Sequence, residues 1–169
     1  MKHALLSPVL AALLLAACQY ESPLGAARDI SIDTAVLGLW EAIGDEGKAP
    51  KKNDRLMILK FSDSEYLLHY PVGNDGLYYR AYPIEIGAIS CVQLQVIGTK
   101  DGAPKADEKK LFHVVSYQLA DGELAIKKLN PELVHEGLKT RAELVQSFLE
   151  HQDDERLFTD PDRFRRSAE

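Results

Sequence analysis

Seven short apolar or alternating runs follow one another through the middle of the chain, separated by Gly, Asp and Asn residues. This pattern is typical of an antiparallel β-meander, because a strand buries every second side chain and a tight turn needs residues that tolerate unusual backbone angles. The predicted strands cover residues 37–43, 56–61, 66–70, 77–86, 89–98, 111–119 and 123–129. A chain of 169 residues can bury a core of its own. We therefore expect one β-rich domain over residues 35–169.

Helical signals begin after the predicted strands. Thr140 and Glu143 have the spacing of a capping box, in which the hydroxyl and the carboxylate satisfy unpaired backbone amides at a helix start. A short helical turn is also expected at residues 131–135. In the charged tail DDERLFTDPDRFRRSAE, Asp160 and Asp162 are expected to form a turn that caps a last helical stub. The apolar stripe of the main helix consists of Leu144, Val145, Phe148 and Leu149.

A meander with one apolar face has to cover that face. Closure into a barrel and a covering helix are the two economical solutions, and both can apply together. We therefore expect a mainly β fold, in which an antiparallel meander of about seven strands forms a barrel or a strongly curved sheet. The C-terminal helix is expected to pack on it.

The first residues of the chain have the order of an export signal. Lys2 and His3 give a basic start, residues 4–14 are apolar, and small residues precede Cys18. This order is that of a secretory signal peptide. A membrane-spanning helix needs about 20 apolar residues, whereas this run contains Pro8 and ends at Gln19. The sequence therefore predicts a cleaved signal over residues 1–17 rather than a span.

The end of this signal, Leu15-Ala16-Ala17-Cys18, resembles the lipobox of bacterial lipoproteins. The resemblance implies that Cys18 becomes the mature N-terminus, with a diacylglyceryl group on its sulfur and an acyl group on its amine. Several acyl chains give stable membrane anchoring, where a single chain is marginal. The alternative is an ordinary signal peptide with Cys18 near its cleavage point.

The residue after the cysteine bears on localisation. In bacteria that sort lipoproteins, an Asp at this position usually retains them at the inner membrane, and this chain has Gln19 instead. The resemblance thus implies an outer-membrane protein facing the periplasm. Residues 18–34 are expected to form the lipidated N-terminus and a flexible tether, since they are small and polar and lack a sustained period.

The formal net charge of −6 argues against nucleic acid as a partner, because phosphate backbones are bound by clustered Lys and Arg. The second cysteine, Cys91, lies in the strand-like run AISCVQLQVIG. If Cys18 is acylated, Cys91 remains a lone thiol, and an inert buried thiol is its expected state.

Gly38-Leu39-Trp40, on the first predicted strand, resembles the G-x-W signature of lipocalins and related calycins. The resemblance implies an up-and-down barrel with Trp40 plugging one end and an interior that either holds a ligand or is filled with side chains. The alternative is that Trp40 is a plain core residue, as buried aromatics usually are.

Five of the chain's seven tyrosines lie in the segment SEYLLHYPVGNDGLYYRAYPIEIG. Alternation along two neighbouring strands predicts an inward Arg80 among them. An inward Arg keeps its charge and needs a carboxylate, hydroxyls or a ligand anion. One hypothesis is a cavity for an amphiphile with an anionic head. The other is an ion pair at the barrel rim. The candidate ligand-binding residues are Tyr66, Tyr70, Tyr78, Arg80 and Tyr82.

No catalytic or metal motif stands out. The chain lacks G-x-S-x-G and H-E-x-x-H, which mark hydrolases and zinc enzymes. We therefore predict no enzymatic activity, no metal and no cofactor. The histidines that lie on separate predicted elements are His69, His113, His135 and His151.

Together these features predict a membrane-anchored envelope lipoprotein that binds a small hydrophobic or anionic ligand, or a protein partner, in the periplasm. The alternative is a structural or assembly lipoprotein that acts through its surface, with the C-terminal helix and charged tail as its docking element.

Overall fold

The computed structural model of the protein describes residues 19–44 and 54–168. The predicted signal peptide and Cys18 lie outside these residues. The strands in the described part are β1 (Gly38–Ala42), β2 (Arg55–Lys60), β3 (Tyr66–Tyr70), β4 (Leu77–Ile86), β5 (Ile89–Gly98), β6 (Phe112–Ala120), β7 (Glu123–Lys128) and β8 (Asp162–Arg166). A 3-10 turn (Thr34–Val36) precedes β1, and one α-helix, α1 (Arg141–Glu150), lies between β7 and β8.

The eight strands form a closed antiparallel barrel in sequence order. Every strand pairs with its neighbours in the chain, and β1 closes the barrel by pairing with β8, with Trp40 opposite Arg166. The prediction of a mainly β fold with a C-terminal helix packed on it is confirmed. Because successive strands alternate in direction, β2, β4, β6 and β8 all begin at the same end of the barrel. We call this end, which contains Arg55, Leu77, Phe112 and Asp162, the cavity end. The opposite end, where β1 begins at Gly38, is called the Trp40 end.

The eighth strand corrects the expectation for the charged tail. Asp162 begins β8 instead of capping a helical stub. Phe164 is buried, and the Arg residues on either side of it are exposed, so the strand does alternate. A single inward apolar residue among charges is too short a pattern to distinguish a strand from a turn. The expected short turn is present at residues 131–133, where the Leu133 and Val134 amides donate to the Asn130 carbonyl, and it does not extend into a helix.

The apolar residues form two cores. The first lies inside the barrel and includes Trp40, Tyr79 and Phe164. The second lies outside the barrel wall, where Ile84 and Phe148 belong to one buried cluster. Helix α1 is positioned by the predicted capping box, which is present at its start. The sheet therefore buries residues on both faces of β4 and β5.

Residues 19–33, which we call the strap, also pack on the outer face instead of forming the expected flexible tether. Tyr20 and Leu24 are each 1 % exposed. The side chain of Gln93, which is fully buried, accepts a hydrogen bond from the Leu24 backbone amide at 2.7 Å. Burial of Leu24 contributes about 1.5–3 kcal/mol, and the buried Tyr20 and the hydrogen bond to Gln93 hold the segment together with it.

Candidate functional site

The structure divides the five candidate ligand-binding residues between the two faces of the sheet. Tyr66 and Tyr70 point into the barrel and line its cavities. Tyr78, Arg80 and Tyr82 are on the outer face, so the expectation of an inward Arg80 was wrong. The candidate residues therefore do not form one site.

The prediction assigned the inward and outward residues of β4 to the wrong faces of the sheet. Across the β3–β4 pair, Tyr79 is opposite Leu68, and both line the same interior cavity. Ile84 and Ile86 share a face with Arg80, and they are buried under the strap and α1 rather than inside the barrel. Because Ile84 and Ile86 are apolar, the alternation along β4 indicated the outer face as the face inside the barrel.

Arg80 is held by a carboxylate at the outer surface. Its Nε donates to Glu65 Oε1 at 2.8 Å, and its Nη2 donates to Glu65 Oε2 at 2.6 Å. Arg28 of the strap donates to the same carboxylate at 2.8 Å. The hydrogen bond from Arg80 is the main reason why the pKa of Glu65 lies below its usual value. This geometry agrees with the ion-pair alternative and leaves Arg80 without a role in binding a ligand anion inside the barrel.

The two outer tyrosines also have structural partners. Tyr82 donates its hydroxyl to the Gly25 carbonyl at 2.9 Å, which fixes the strap to β4. The ring of Tyr78 stacks on the ring of His69 with centroids 4.2 Å apart. Both contacts are on the outside of the barrel.

The barrel interior contains two neighbouring cavities, of about 80 and 40 Å³. Their walls share four apolar residues, so the cavities adjoin. The shared residues are Leu68, Leu94, Val115 and Ile126. The larger cavity lies toward the cavity end and the smaller toward the Trp40 end. The interior is mostly filled with side chains and keeps a small apolar space along its axis.

Two buried polar atoms line the larger cavity without a hydrogen-bond partner among the described residues. They are Tyr79 Oη and His113 Nε2. Tyr79 is 1 % exposed and His113 is 6 % exposed, and their rings meet edge to face with centroids 5.8 Å apart. Buried polar groups in folded proteins are nearly always paired. The pair therefore marks a point where a molecule with a hydrogen-bonding group would be stabilised.

Both of these side chains are uncharged near neutral pH. Burial, with a smaller effect from the Lys128 cation, lowers the pKa of His113 to about 4. Burial raises the pKa of Tyr79 above its usual value. The cavity thus presents a neutral imidazole and a neutral phenol in an apolar wall.

Charged groups at the cavity end are already paired with one another. Lys128 lies 2.9 Å from the Asp162 carboxylate, and the Tyr70 hydroxyl donates to Asp54 Oδ1 at 2.6 Å. Burial and the Asp54 carboxylate raise the pKa of Tyr70. These pairs line the rim without placing an unpaired charge in the cavity.

The opposite end is closed around the tryptophan. Trp40 is fully buried, its indole donates to the Val36 carbonyl at 2.8 Å, and the Arg166 guanidinium lies over its ring at 4.5 Å. The same guanidinium donates to the carbonyls of Leu37 and Ala35. Arg166 therefore ties β8 to the 3-10 turn, and Val36 from that turn forms part of the wall of the smaller cavity.

Tyr79 and His113 were not among the candidate residues. The alternation that predicts an inward Arg80 also predicts an outward Tyr79, and His113 has no sequence signal beyond its position on a predicted strand. Pairing β3 with β4 across the Asn74-Asp75-Gly76 turn would have placed Tyr79 beside Leu68, but the register depends on a turn length that the sequence leaves open.

Nucleophilic chemistry at Cys91 has no support in the geometry. The thiol is 4 % exposed, and burial raises its pKa to about 12, so little thiolate forms near neutral pH. In the part of the chain that the structure describes, no group of three or more His, Cys, Asp or Glu side chains is placed to hold a metal ion.

Within residues 19–44 and 54–168, no helix is long and apolar enough to cross a membrane. Comparisons with protein families, curated proteins and solved structures found no match.

Proposed function

We propose that the protein is a lipid-anchored envelope protein without enzymatic activity, and that its barrel binds a small, mainly apolar and uncharged molecule. The observation that carries the proposal is the larger interior cavity, where Tyr79 Oη and His113 Nε2 lack partners among the described residues. A ligand hydroxyl or carbonyl between them would remove a desolvation cost of about 1–3 kcal/mol for each unpaired group.

The volume of the interior limits the size of the ligand. Sites for drug-sized molecules occupy roughly 300–1,000 Å³, whereas the two cavities measure about 80 and 40 Å³. An apolar cavity of about 150 Å³ binds benzene. The proposed ligand therefore has only a few heavy atoms, or is one end of a longer chain.

The charge of the site favours a neutral ligand over the anion considered from the sequence. Arg80 lies outside the barrel and binds Glu65, and Lys128 at the rim is paired with Asp162. A buried anion without a counter-charge would have a large desolvation cost. A neutral hydroxyl or carbonyl has no such cost.

The envelope part of the proposal rests on the sequence. The lipobox resemblance of Leu15-Ala16-Ala17-Cys18 supports acylation at Cys18 and localisation at a bacterial membrane, with Gln19 favouring the outer membrane and the periplasmic side. The Gly38-Leu39-Trp40 resemblance to lipocalins supports a carrier role for the barrel. Labelling cells with a palmitate analogue tests the anchor, since Cys18→Ala should abolish the labelled band.

Ligand binding is tested by titrating the protein with 1-butanol, butyrate and butylamine, followed by the methyl NMR signals of Leu68, Leu94 and Val115. We expect 1-butanol to shift these signals in a saturable manner, and the two charged analogues of similar size to bind at least about tenfold more weakly. Equal binding of butyrate would contradict the neutral site, and no saturable shift with any of the three would contradict ligand binding.

A matched pair of variants assigns the binding to the cavity. Tyr79→Phe removes the inward hydroxyl and keeps the ring, so it should weaken 1-butanol binding several-fold. Tyr78→Phe makes the same change one residue away on the outer face, and binding should be unaffected. The same effect from both variants would show that the hydroxyl in the cavity has no specific part in binding.

A second candidate is a surface-acting assembly lipoprotein, favoured by one observation. Leu149 on α1 is 37 % exposed and lines an open groove with Val145. Since β8 is part of the barrel, the charged tail is not a separate docking element. A photo-crosslinker placed at Leu149 should capture a defined envelope protein in cells under this alternative, and Leu149→Glu should abolish that contact.

A further inference from the structure

The beginning of the strap is fixed directly to the barrel. The Tyr20 amide donates to the Phe112 carbonyl at 2.8 Å, and the Phe112 amide donates to the Tyr20 carbonyl at 3.2 Å. The Tyr20 hydroxyl donates to the Val134 carbonyl at 2.8 Å, and the residue is 1 % exposed. Tyr20 is therefore part of the folded body, with no free linker following it.

This attachment leaves very little chain between the body and Cys18. Cys18 precedes Tyr20 by two positions, and an extended chain spans roughly 3.5 Å per residue. The chain from Cys18 to Tyr20 therefore spans at most about 7 Å. Tyr20 is hydrogen-bonded directly to Phe112, so if Cys18 carries the lipid, Phe112 lies close to the anchored residue. The barrel cannot move far from the bilayer.

The position of Phe112 shows which end of the barrel lies near Cys18. Phe112 begins β6 at the cavity end, and the next residue, His113, lines the larger cavity. The other end of β6 is Ala120, eight residues on, which places it about 26 Å farther along the strand at roughly 3.3 Å per residue. The anchor point is therefore close to one end of the barrel and distant from the other.

We infer that the cavity end of the barrel faces the membrane surface, so that a ligand enters the cavity from the lipid side. This inference rests on the lipid anchor proposed above and adds to it an orientation and a source of ligand. It also explains the burial of Tyr20 and Leu24 in a segment whose composition suits a free tether. A strap fixed along the barrel wall holds the body in one orientation, which a flexible linker would not do.

The test uses the full acylated chain in vesicles of phosphatidylethanolamine and phosphatidylglycerol that contain a headgroup-nitroxide lipid. A fluorophore is attached in two separate variants, Lys109→Cys near the cavity end and Ala120→Cys at the Trp40 end. Both positions are exposed, while the buried Cys91 thiol, with its raised pKa, should not react. We expect several-fold stronger quenching at position 109 than at position 120.

Two controls separate this inference from the anchor itself. Ten Gly and Ser residues inserted between Gln19 and Tyr20 should reduce the difference between the two positions to less than twofold. Cys18→Ser should remove vesicle binding. Equal or reversed quenching in a chain that binds vesicles through Cys18 would overturn the orientation and leave the anchor in place. A parent chain that fails to bind vesicles would overturn both.

Discussion

His113 and Tyr79 place polar atoms without partners among the described residues in a cavity with a mostly apolar wall. The proposed ligand site depends on them. Each was paired with water in the unfolded chain, and each lacks a partner among the described residues in the folded barrel. Their rings contact each other, so a change in one affects the environment of the other. At this scale the site consists of two polar atoms without hydrogen-bond partners among the described residues, one on β4 and one on β6.

The buried His113 should make stability depend on pH. Its pKa is about 4 in the folded protein, against an ordinary value of 6.5. Between these values the unfolded chain binds the proton and the folded one does not, so the free energy of unfolding falls as pH falls from 6.5 to 4. The difference of the two values corresponds to a loss of about 3 kcal/mol across this window.

Urea unfolding at pH 7, 5.5 and 4.5 measures this dependence. His113→Phe should flatten the decline by a large part of that amount. His135→Phe, which changes an exposed histidine, should decline with pH as the parent chain does. The same slope in both variants and in the parent chain would show that His113 does not cause the pH dependence.

At the scale of elements, the strap shows how a segment with a polar composition can be ordered. Glu65 is 5 % exposed and binds Arg80 of β4 together with Arg28 of the strap. The Arg28 guanidinium also lies over the Tyr82 ring at 4.7 Å. One buried carboxylate, directly before β3, therefore connects the strap to β4.

Glu65→Gln should loosen the strap while the barrel stays folded. Loss of one charged hydrogen bond corresponds to at least about a tenfold increase in amide exchange, and we expect this increase in the strap residues near Arg28. Acid should act in the same direction, because the pKa of Glu65 is lowered on folding. Its stabilising effect is present above the ordinary value of 4.5 and is lost as pH falls through the lower folded value.

Hydrogen exchange followed by mass spectrometry measures the effect. Glu21→Gln changes a carboxylate of the same segment that pairs with the exposed Lys139 at 3.2 Å, and it should leave exchange near Arg28 unchanged. Unaltered exchange in Glu65→Gln would contradict the role of the buried carboxylate.

The sequence predicted elements that carry strong local signals. Strands β3, β4 and β5 have their predicted limits, because dense alternation and turn residues bound them on each side. The capping box placed α1 correctly. Strand β8 was missed because Phe164 is its one buried residue, and its strand character depends on the open edges of β1 and β7.

The candidate site was harder to predict because the strap and α1 cover one side of the barrel. In a barrel with one covered side, outward residues such as Ile84 are as buried as inward ones, so apolar alternation no longer indicates which face is inside. The register between β3 and β4 decides whether Tyr79 or Tyr78 enters the cavity, and that register depends on contacts distant in sequence. The sequence indicated tyrosines as candidate binding residues, but only the three-dimensional structure shows that Tyr79, and not Tyr78, lines the larger cavity.

At the scale of the whole molecule, the two ends of the barrel differ. The Trp40 end is closed by Val36, Trp40 and Arg166, and the cavity end contains the polar pair and the attachment of the strap. Under the proposed function, the cavity end is the end at which a small neutral molecule would enter the barrel.

A neutral ligand group between Tyr79 and His113 would be seen in a crystal structure of the protein grown with 1-butanol. We expect the butanol oxygen at roughly 2.7–3.2 Å from Tyr79 Oη or His113 Nε2, with its alkyl chain directed toward Leu68 and Leu94. A larger cavity occupied by rearranged side chains, or butanol bound elsewhere with this cavity empty, would contradict this expectation.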